Sequence, residues 1–243
     1  MKGFMSVFKR EVRGYFSTPL AYVFLVIFLF FASFLTFKAG FFEIRQADLR
    51  AFFSNMPMLL IFLIPAIAMR LWADERKTGS IELLFCLPIT TVQATLAKFC
   101  AAWLVVLIAL VLTAPMVITV CYLGDPDWGP IITGYIGSAL MAAAFLAIGG
   151  FFSALTRNQV IAFVLGVVGC ALFLLAGSPA VLQFAASFLP KGLVDAMEMF
   201  SFQSRFESVQ RGVVQLRDIL FFVVLTAGWL WANVVVLEER KAA

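Results

Sequence analysis

"ADERKTGSIELLFCLPITTVQATLAKF", residues Ala73–Phe99, separates two apolar runs, Met56–Trp72 and Phe99–Leu123. A helix needs roughly 20 apolar residues to cross the hydrocarbon core, within a range of about 17–25. Both runs therefore read as spans, and the polar stretch turns the chain back into the bilayer. It is more patterned than a connector needs. Ile81, Leu84 and Phe85 share one helical face. Gly79, just ahead of them, is a tolerated N-cap, and Glu82 is an acid in the first turn, where it suits the helix dipole. Pro88 ends this short helix. Thr90 followed by Gln93 has the spacing of a capping box and opens the next helix. The stretch reads as a short amphipathic helix held between two spans, a lever for something outside the chain to push.

Composition places the whole chain in the same setting. Of 243 residues, 63% are hydrophobic and only 13% charged, and the mean hydropathy is +1.01. Soluble domains are about half apolar and about a quarter charged, and a soluble surface could not hide 28 phenylalanines. The expected fold is an all-α membrane protein forming one domain over residues 1–243. Six runs are long enough to span: Leu20–Phe37, Met56–Trp72, Phe99–Leu123, Ile131–Thr156, Gln159–Ala176 and Ile219–Leu237.

Lys and Arg in the short flanks set the orientation. With both termini cytoplasmic, 11 basic residues (Lys2, Lys9, Arg10, Arg13, Arg70, Arg76, Lys77, Lys98, Arg157, Arg240 and Lys241) lie inside and 7 outside, and the outer turn "LGDPDWGP" carries only acids. Ahead of the first span, residues 1–18 have Phe4, Val7, Phe8, Val12, Tyr15 and Phe16 at three- and four-residue steps, with Lys9, Arg10 and Arg13 on the other side. This pattern predicts an amphipathic helix in the inner headgroup layer, its basic residues facing anionic lipid, ended at Thr18–Pro19. Residues 177–218, before the last span, read as an extracytoplasmic or re-entrant helical segment. The first apolar run lacks a small-residue cleavage site, so no signal peptide is expected.

Several chemistries find no support. The chain has no histidine, hence no His-based metal site or His general base. Its four cysteines are scattered without CxxC pairing. HExxH, GxSxG and the phosphate-cradling GxxxxGK[ST] are absent. No catalytic, cofactor-binding or metal-binding residues are assigned. The six cores hold no ionisable residue of the kind that marks proton or ion pathways. Ser33, Thr36, Thr113, Ser138, Ser153 and Asn233 are read as interhelical hydrogen-bonding groups. Gly134, Gly137, Gly149, Gly150, Gly166 and Gly169 are read as sites of close helix approach.

The run "MRLWADERKTGSIELLFCLPITTVQATLAKF" resembles the cytoplasmic signature of type-2 ABC exporter permeases, and among them the gliding-motility-associated (GldF-type) permeases. "EVRGYFSTPLAYVFLVIFLFF" and "FESVQRGVVQLRDILFF" resemble that subfamily's approaches to its first and last spans. The resemblance implies a permease subunit of an ATP-driven ABC transporter. It would pair with a second copy or a related permease and dock a separate cytoplasmic ATPase through a coupling helix in residues 73–98. On the signature it carries Glu75, Arg76, Gly79, Glu82, Leu83, Leu84 and Pro88, with Lys98 as the base at the start of the third span. Ile81 and Phe85 join them on the helical face. The turn "LTRNQ", with Arg157, corresponds to a second contact. Cys86 stands where the family commonly has a small or hydroxylated residue. The chain would not itself be an enzyme: ATP and Mg would be bound by the partner ATPase.

Two roles fit these features: export of an amphipathic or lipidic substrate, or transmission of ATP-driven motion to an extracytoplasmic companion protein without transport. Either places the chain, with membrane lipids and no nucleic acid as neighbours, in a bacterial inner membrane. The topology is open to test by placing single cysteines in a cysteine-free background. Outside-added reagent should label a site at Pro126 and leave one at Gly79 unmodified. Labelling at Gly79 would overturn the orientation.

Overall fold

The computed structural model describes residues 2–38, 48–81, 89–188, 201–210, 212 and 215–240, and these are helical apart from short turns and caps. Eleven helices are bounded within them: α1 (Lys2–Ser17), α2 (Pro19–Lys38), α3 (Arg50–Ala68), α4 (Ala73–Thr78), α5 (Thr91–Val111), α6 (Ala114–Leu123), α7 (Trp128–Leu155), α8 (Gln159–Leu175), α9 (Pro179–Phe188), α10 (Phe202–Gln210) and α11 (Leu216–Glu239). Glu82, Leu83, Leu84, Phe85 and Pro88, the heart of the expected coupling helix, lie outside the described residues.

Among the described residues five stretches are long and apolar enough to cross a membrane: Ala21–Lys38, Arg50–Thr78, Thr91–Leu123, Trp128–Leu155 and Leu216–Glu239. The sixth expected span, α8, is apolar but has 17 residues, roughly 25 Å of helix against a hydrocarbon core of about 30 Å. Its chain continues through a turn at Ala176–Ser178 into α9. Apolar side chains such as Val26, Phe30 and Phe34 on α2, and Leu220, Val224 and Trp231 on α11, point outward. In a multi-pass membrane protein that surface meets lipid.

Local chemistry sets the helix ends. Thr90 caps α5, its Oγ1 accepting the Gln93 N–H at 3.2 Å, as the sequence spacing predicts. Asp127 and Asn158 cap α7 and α8 in the same way. The third expected span is broken at Leu112–Thr113 between α5 and α6. Pro115 explains the break: it has no N–H to give and its ring crowds the carbonyl four residues back. Thr113 closes the gap, its Oγ1 donating to Leu110 O at 2.6 Å and sharing a 2.7 Å hydrogen bond with Tyr135 on α7.

α7 is the centre of the bundle, in contact with α3, α5, α8, α10 and α11. In lipid, helices gain little from burying apolar surface, so association depends on close backbone approach at small residues. A Cβ added to Gly149 would stand 2.5 Å from the Ala68 methyl of α3, and one on Gly137 would stand 2.8 Å from Val209 of α10. The glycines read as packing sites serve that purpose. The polar groups divide. Ser153 bonds across to another element, while Thr36 and Ser138 bond back to carbonyls of their own helices, which satisfies a hydroxyl without linking two spans.

Part of the outer region, residues 177–218, is seated on the bundle. Phe202, Phe206 and Val209 form a buried stripe on α10, and the Phe202 ring stacks on Phe145 and meets Phe173 and Phe222 edge-on. Arg205 on α10 pairs with the buried Asp218 of α11 at 3.1 Å.

The close approach at α7 is testable by methyl insertion. Gly149→Ala should lower the melting temperature in detergent, the overpacking costing about 1–3 kcal/mol. Gly228→Ala, whose methyl meets nothing within 4 Å, should leave it unchanged or slightly higher. Equal effects would show that the α3–α7 contact does not limit stability.

Candidate functional site

The polar loop that decides the fold begins as a sharp corner. α3 ends at Ala68, residues 69–72 turn, and α4 starts at Ala73. Such a corner leaves carbonyls of one helix end and N–H groups of the next without partners. A single side chain from α7 supplies them. Ser153 Oγ accepts from the Trp72 and Ala73 N–H groups, each at 3.1 Å, and donates to Met69 O at 2.8 Å. Asp74 extends the link, pairing with Arg70 at 2.9 Å and accepting a hydrogen bond from Gln159 of α8. Arg76 donates to Ala154 O, in the last turn of α7. The corner and the Thr156–Asn158 turn, 80 or so positions apart in sequence (about 78 to 85 between bonded residues), thus form one joined surface.

Gly79 has a different place from the one its sequence context suggests. It closes α4 as a C-cap with φ 72°, the left-handed region that glycine enters without steric cost. The acidic residues Asp74 and Glu75 and the basic Arg76 and Lys77 suit the two ends of the short α4. Helical backbone resumes at Ser80 and Ile81, and Ile81 rests against the core. Gly79 therefore separates two helical pieces instead of merely starting the second.

Charges from three helices meet beside this corner. Lys98 of α5 is 3% exposed, with Nζ 2.9 Å from Glu75 of α4 and 3.1 Å from Glu11 of α1. It also lies 5.2 Å over the Trp72 ring, a favourable place for a cation. Arg10 completes the group at 2.7 Å from Glu11 and 3.2 Å from Glu75. A buried ammonium without partners would be very costly; two carboxylates and an aromatic face compensate this one. Burial alone would raise the Glu11 carboxyl, but Lys98 and Arg10 outweigh it and hold it below the ordinary carboxylate value.

Helix α1 reaches this group by lying along α5. Gly3 is against Ile89 and Gln93, and Glu11 against Lys98, so the two helices run side by side in the same direction. Val7 is buried, and Phe4, Phe8, Tyr15 and Phe16 pack on the core. The apolar stripe thus grips the protein, with Val12 partly covered, while Lys9, Arg10 and Arg13 stay exposed. Toward α4 the contact is looser: an open pocket of about 210 Å³ is lined by Glu11, Gly14, Tyr15 and Thr18 and by Arg70, Asp74, Glu75 and Lys98.

Among the expected site residues, the structure brings together Glu75, Arg76, Arg157 and, through Glu75, Arg10. Arg76 lies near Arg240 and Arg157, so three guanidinium groups gather at this end of the bundle. Sequence reasoning missed the partnership of Glu11 with Lys98. A signal for it exists: Glu11 falls four residues from both Val7 and Tyr15, on the apolar face, where a carboxylate needs a cation. Lys98 likewise falls in the buried row Ala94, Ala101 and Val105. Among the described residues no group of three or more His, Cys, Asp or Glu is placed to hold a metal ion.

A family model described as ABC-2 family transporter protein matches residues 42–237, well over half of the chain. No curated protein is similar enough to the chain to match it.

The held-down Glu11 carboxyl makes the α1 contact acid-sensitive. A depressed value in the folded state contributes stability that is fully present above the ordinary value of 4.5 and lost as pH falls through the folded value. Proteolysis of α1 in nanodiscs should accelerate below about pH 4.5 in the parent chain and show a weaker pH response in Glu11→Gln. An identical pH response in both would remove Glu11 as the cause.

Proposed function

The chain belongs to the ABC-2 family of transporter proteins as a multi-pass permease subunit, and from that premise we propose that it pairs in the membrane and couples to a separate cytoplasmic ATPase for export. The observation that carries the coupling is the joined surface at the α3–α4 corner. Ser153, the Asp74–Gln159 bond and the Arg76–Ala154 bond tie two loops that a partner would otherwise engage separately. The crowding of Arg76 by Arg240 and Arg157 supports a partner that brings carboxylates to this end. ATP and Mg are bound by that partner, which does the hydrolysis. The chain is of GldF type, its second permease is another copy or a related permease, and both termini are cytoplasmic in a bacterial inner membrane. The substrate is amphipathic or lipidic, in keeping with apolar, aromatic-rich spans.

A second reading is favoured by α10. Its aromatic stripe and the Arg205–Asp218 pair tie a segment of the 177–218 region to α7 and α11, which suits a subunit that passes motion to an extracytoplasmic companion instead of a substrate.

The coupling reading is tested on residues 82–88. A large apolar side chain buried at the docking site contributes roughly 1.5–3 kcal/mol before the cost of ordering. Leu84→Asp should therefore release the ATPase in pull-downs from membranes, while Glu82→Ala keeps some complex but weakens the effect of the membrane domain on ATP turnover in lipid. Normal capture by Leu84→Asp would sink the docking assignment.

A further inference from the structure

We infer that Lys98 is a positioning residue that clamps α1 onto the α3–α4 corner, so that α1 and the corner move as one body and carry the first span with them. What this lever serves rests on the proposed ATPase-facing role of the corner; the clamp itself does not.

The two halves of α1 are held differently. Near its start, Gly3 meets the Ile89 side chain and Val7 is buried, so ordinary packing fastens that half to α5. From Glu11 onward Tyr15 and Phe16 still pack on the core, but on the side facing α4 an open pocket beside Arg70 and Asp74 replaces close contact. The ionic group spans this place. Lys98 offers one buried ammonium to carboxylates from two different helices, Glu11 of α1 and Glu75 of α4, at 3.1 and 2.9 Å. Arg10 bridges the same two carboxylates from the exposed side. With the ammonium removed, the two acids would face each other across a single, half-exposed arginine, and their repulsion would push α1 and α4 apart.

Displacement of this half of α1 must reach α2. Thr18 is the sole residue between Ser17 and Pro19, and its hydroxyl is held by the Gly14 and Tyr15 carbonyls. So short a joint has little slack. A push on the corner passes through Glu75, Lys98 and Glu11 to α1 and on to the start of α2, whose outer face is exposed at Val26, Phe30 and Phe34.

The test is amide hydrogen exchange on the full chain in lipid nanodiscs, without any ATPase, so that its outcome is separate from that of the docking reading. Glu11→Gln and Lys98→Met should each raise exchange across residues 10–17 at least tenfold, with residues 140–150 of α7 unchanged. Lys98→Arg keeps a cation between Glu11 and Glu75 and should retain a substantial part of the protection. Unchanged exchange in Glu11→Gln would overturn the clamp, and that variant decides alone if Lys98→Met does not accumulate. A Lys98→Arg variant no better protected than Lys98→Met would also overturn it, because the loss would then come from packing and not from charge.

Discussion

The contact of α7 with α3 at Gly149 is the constraint on which the rest of the bundle depends. A methyl at Gly149 would sit 2.5 Å from Ala68, and one at Gly166 of α8 would sit 3.1 Å from Pro65. Three backbones therefore meet with almost no side chain between them. Hydrocarbon offers helices little reward for hiding apolar surface from it, so close dispersion contact has to supply the association. This contact also fixes the register of the polar groups beyond it. Ser153 lies one helical turn past Gly149, and it reaches the three backbone groups of the corner only because α3 and α7 approach so nearly.

Charge is placed at the ends of this apolar body and is compensated there. Lys98 and Asp218 are both almost fully buried, and each pairs with a residue from a helix that is not a long span: Glu11 of α1 and Arg205 of α10. The same logic governs both. An ion near the end of a span is tolerable when a neighbouring short helix brings the opposite charge, and the pairing in turn gives that short helix a fixed seat. Asp218 gains further from standing in the first turn of α11, the positive end of the helix dipole. The short helices are thus positioned by one or two ionic contacts added to an apolar stripe.

Much of this was legible in the sequence, and the omissions share a physical cause. Run length and composition gave five of the six expected spans, because a bilayer imposes a length on every crossing. The Thr90–Gln93 cap was readable because both partners lie within four residues. Gly134, Gly137, Gly149 and Gly166 were readable as contact sites because an uncharged span has few other uses for glycine. By contrast, Lys98 with Glu11 joins residues 87 positions apart, and no local pattern names the partner. Gly79 was read forward, as the start of Ile81–Phe85, when the charged run Asp74–Lys77 behind it already forms a helix that needs a left-handed end. The break at Leu112–Thr113 was hidden inside an unbroken apolar run, since hydropathy is blind to the backbone donor that Pro115 lacks. Residues 82–88 lie outside the described structure, so the reading of their face still rests on sequence.

Helix α7 links the two ends of the molecule. With 28 residues it is about 42 Å long at 1.5 Å per residue. Near its end Ser153 holds the corner; near its start Thr133 donates to Val209 O of α10 at 2.8 Å, and Gly137 lies against the Val209 side chain. In an 18-residue apolar stretch of α7, 67% of the residues are buried, whereas in α11 the share is 11%. A helix so enclosed, with glycine contacts that leave no room to rotate, cannot bend freely between those points. The corner and α10 are thus tied to one continuous helix. The result is a contrast between that enclosed centre and the exposed outer faces of α2 and α11. In this chain it follows from where the small residues are, before any partner is added.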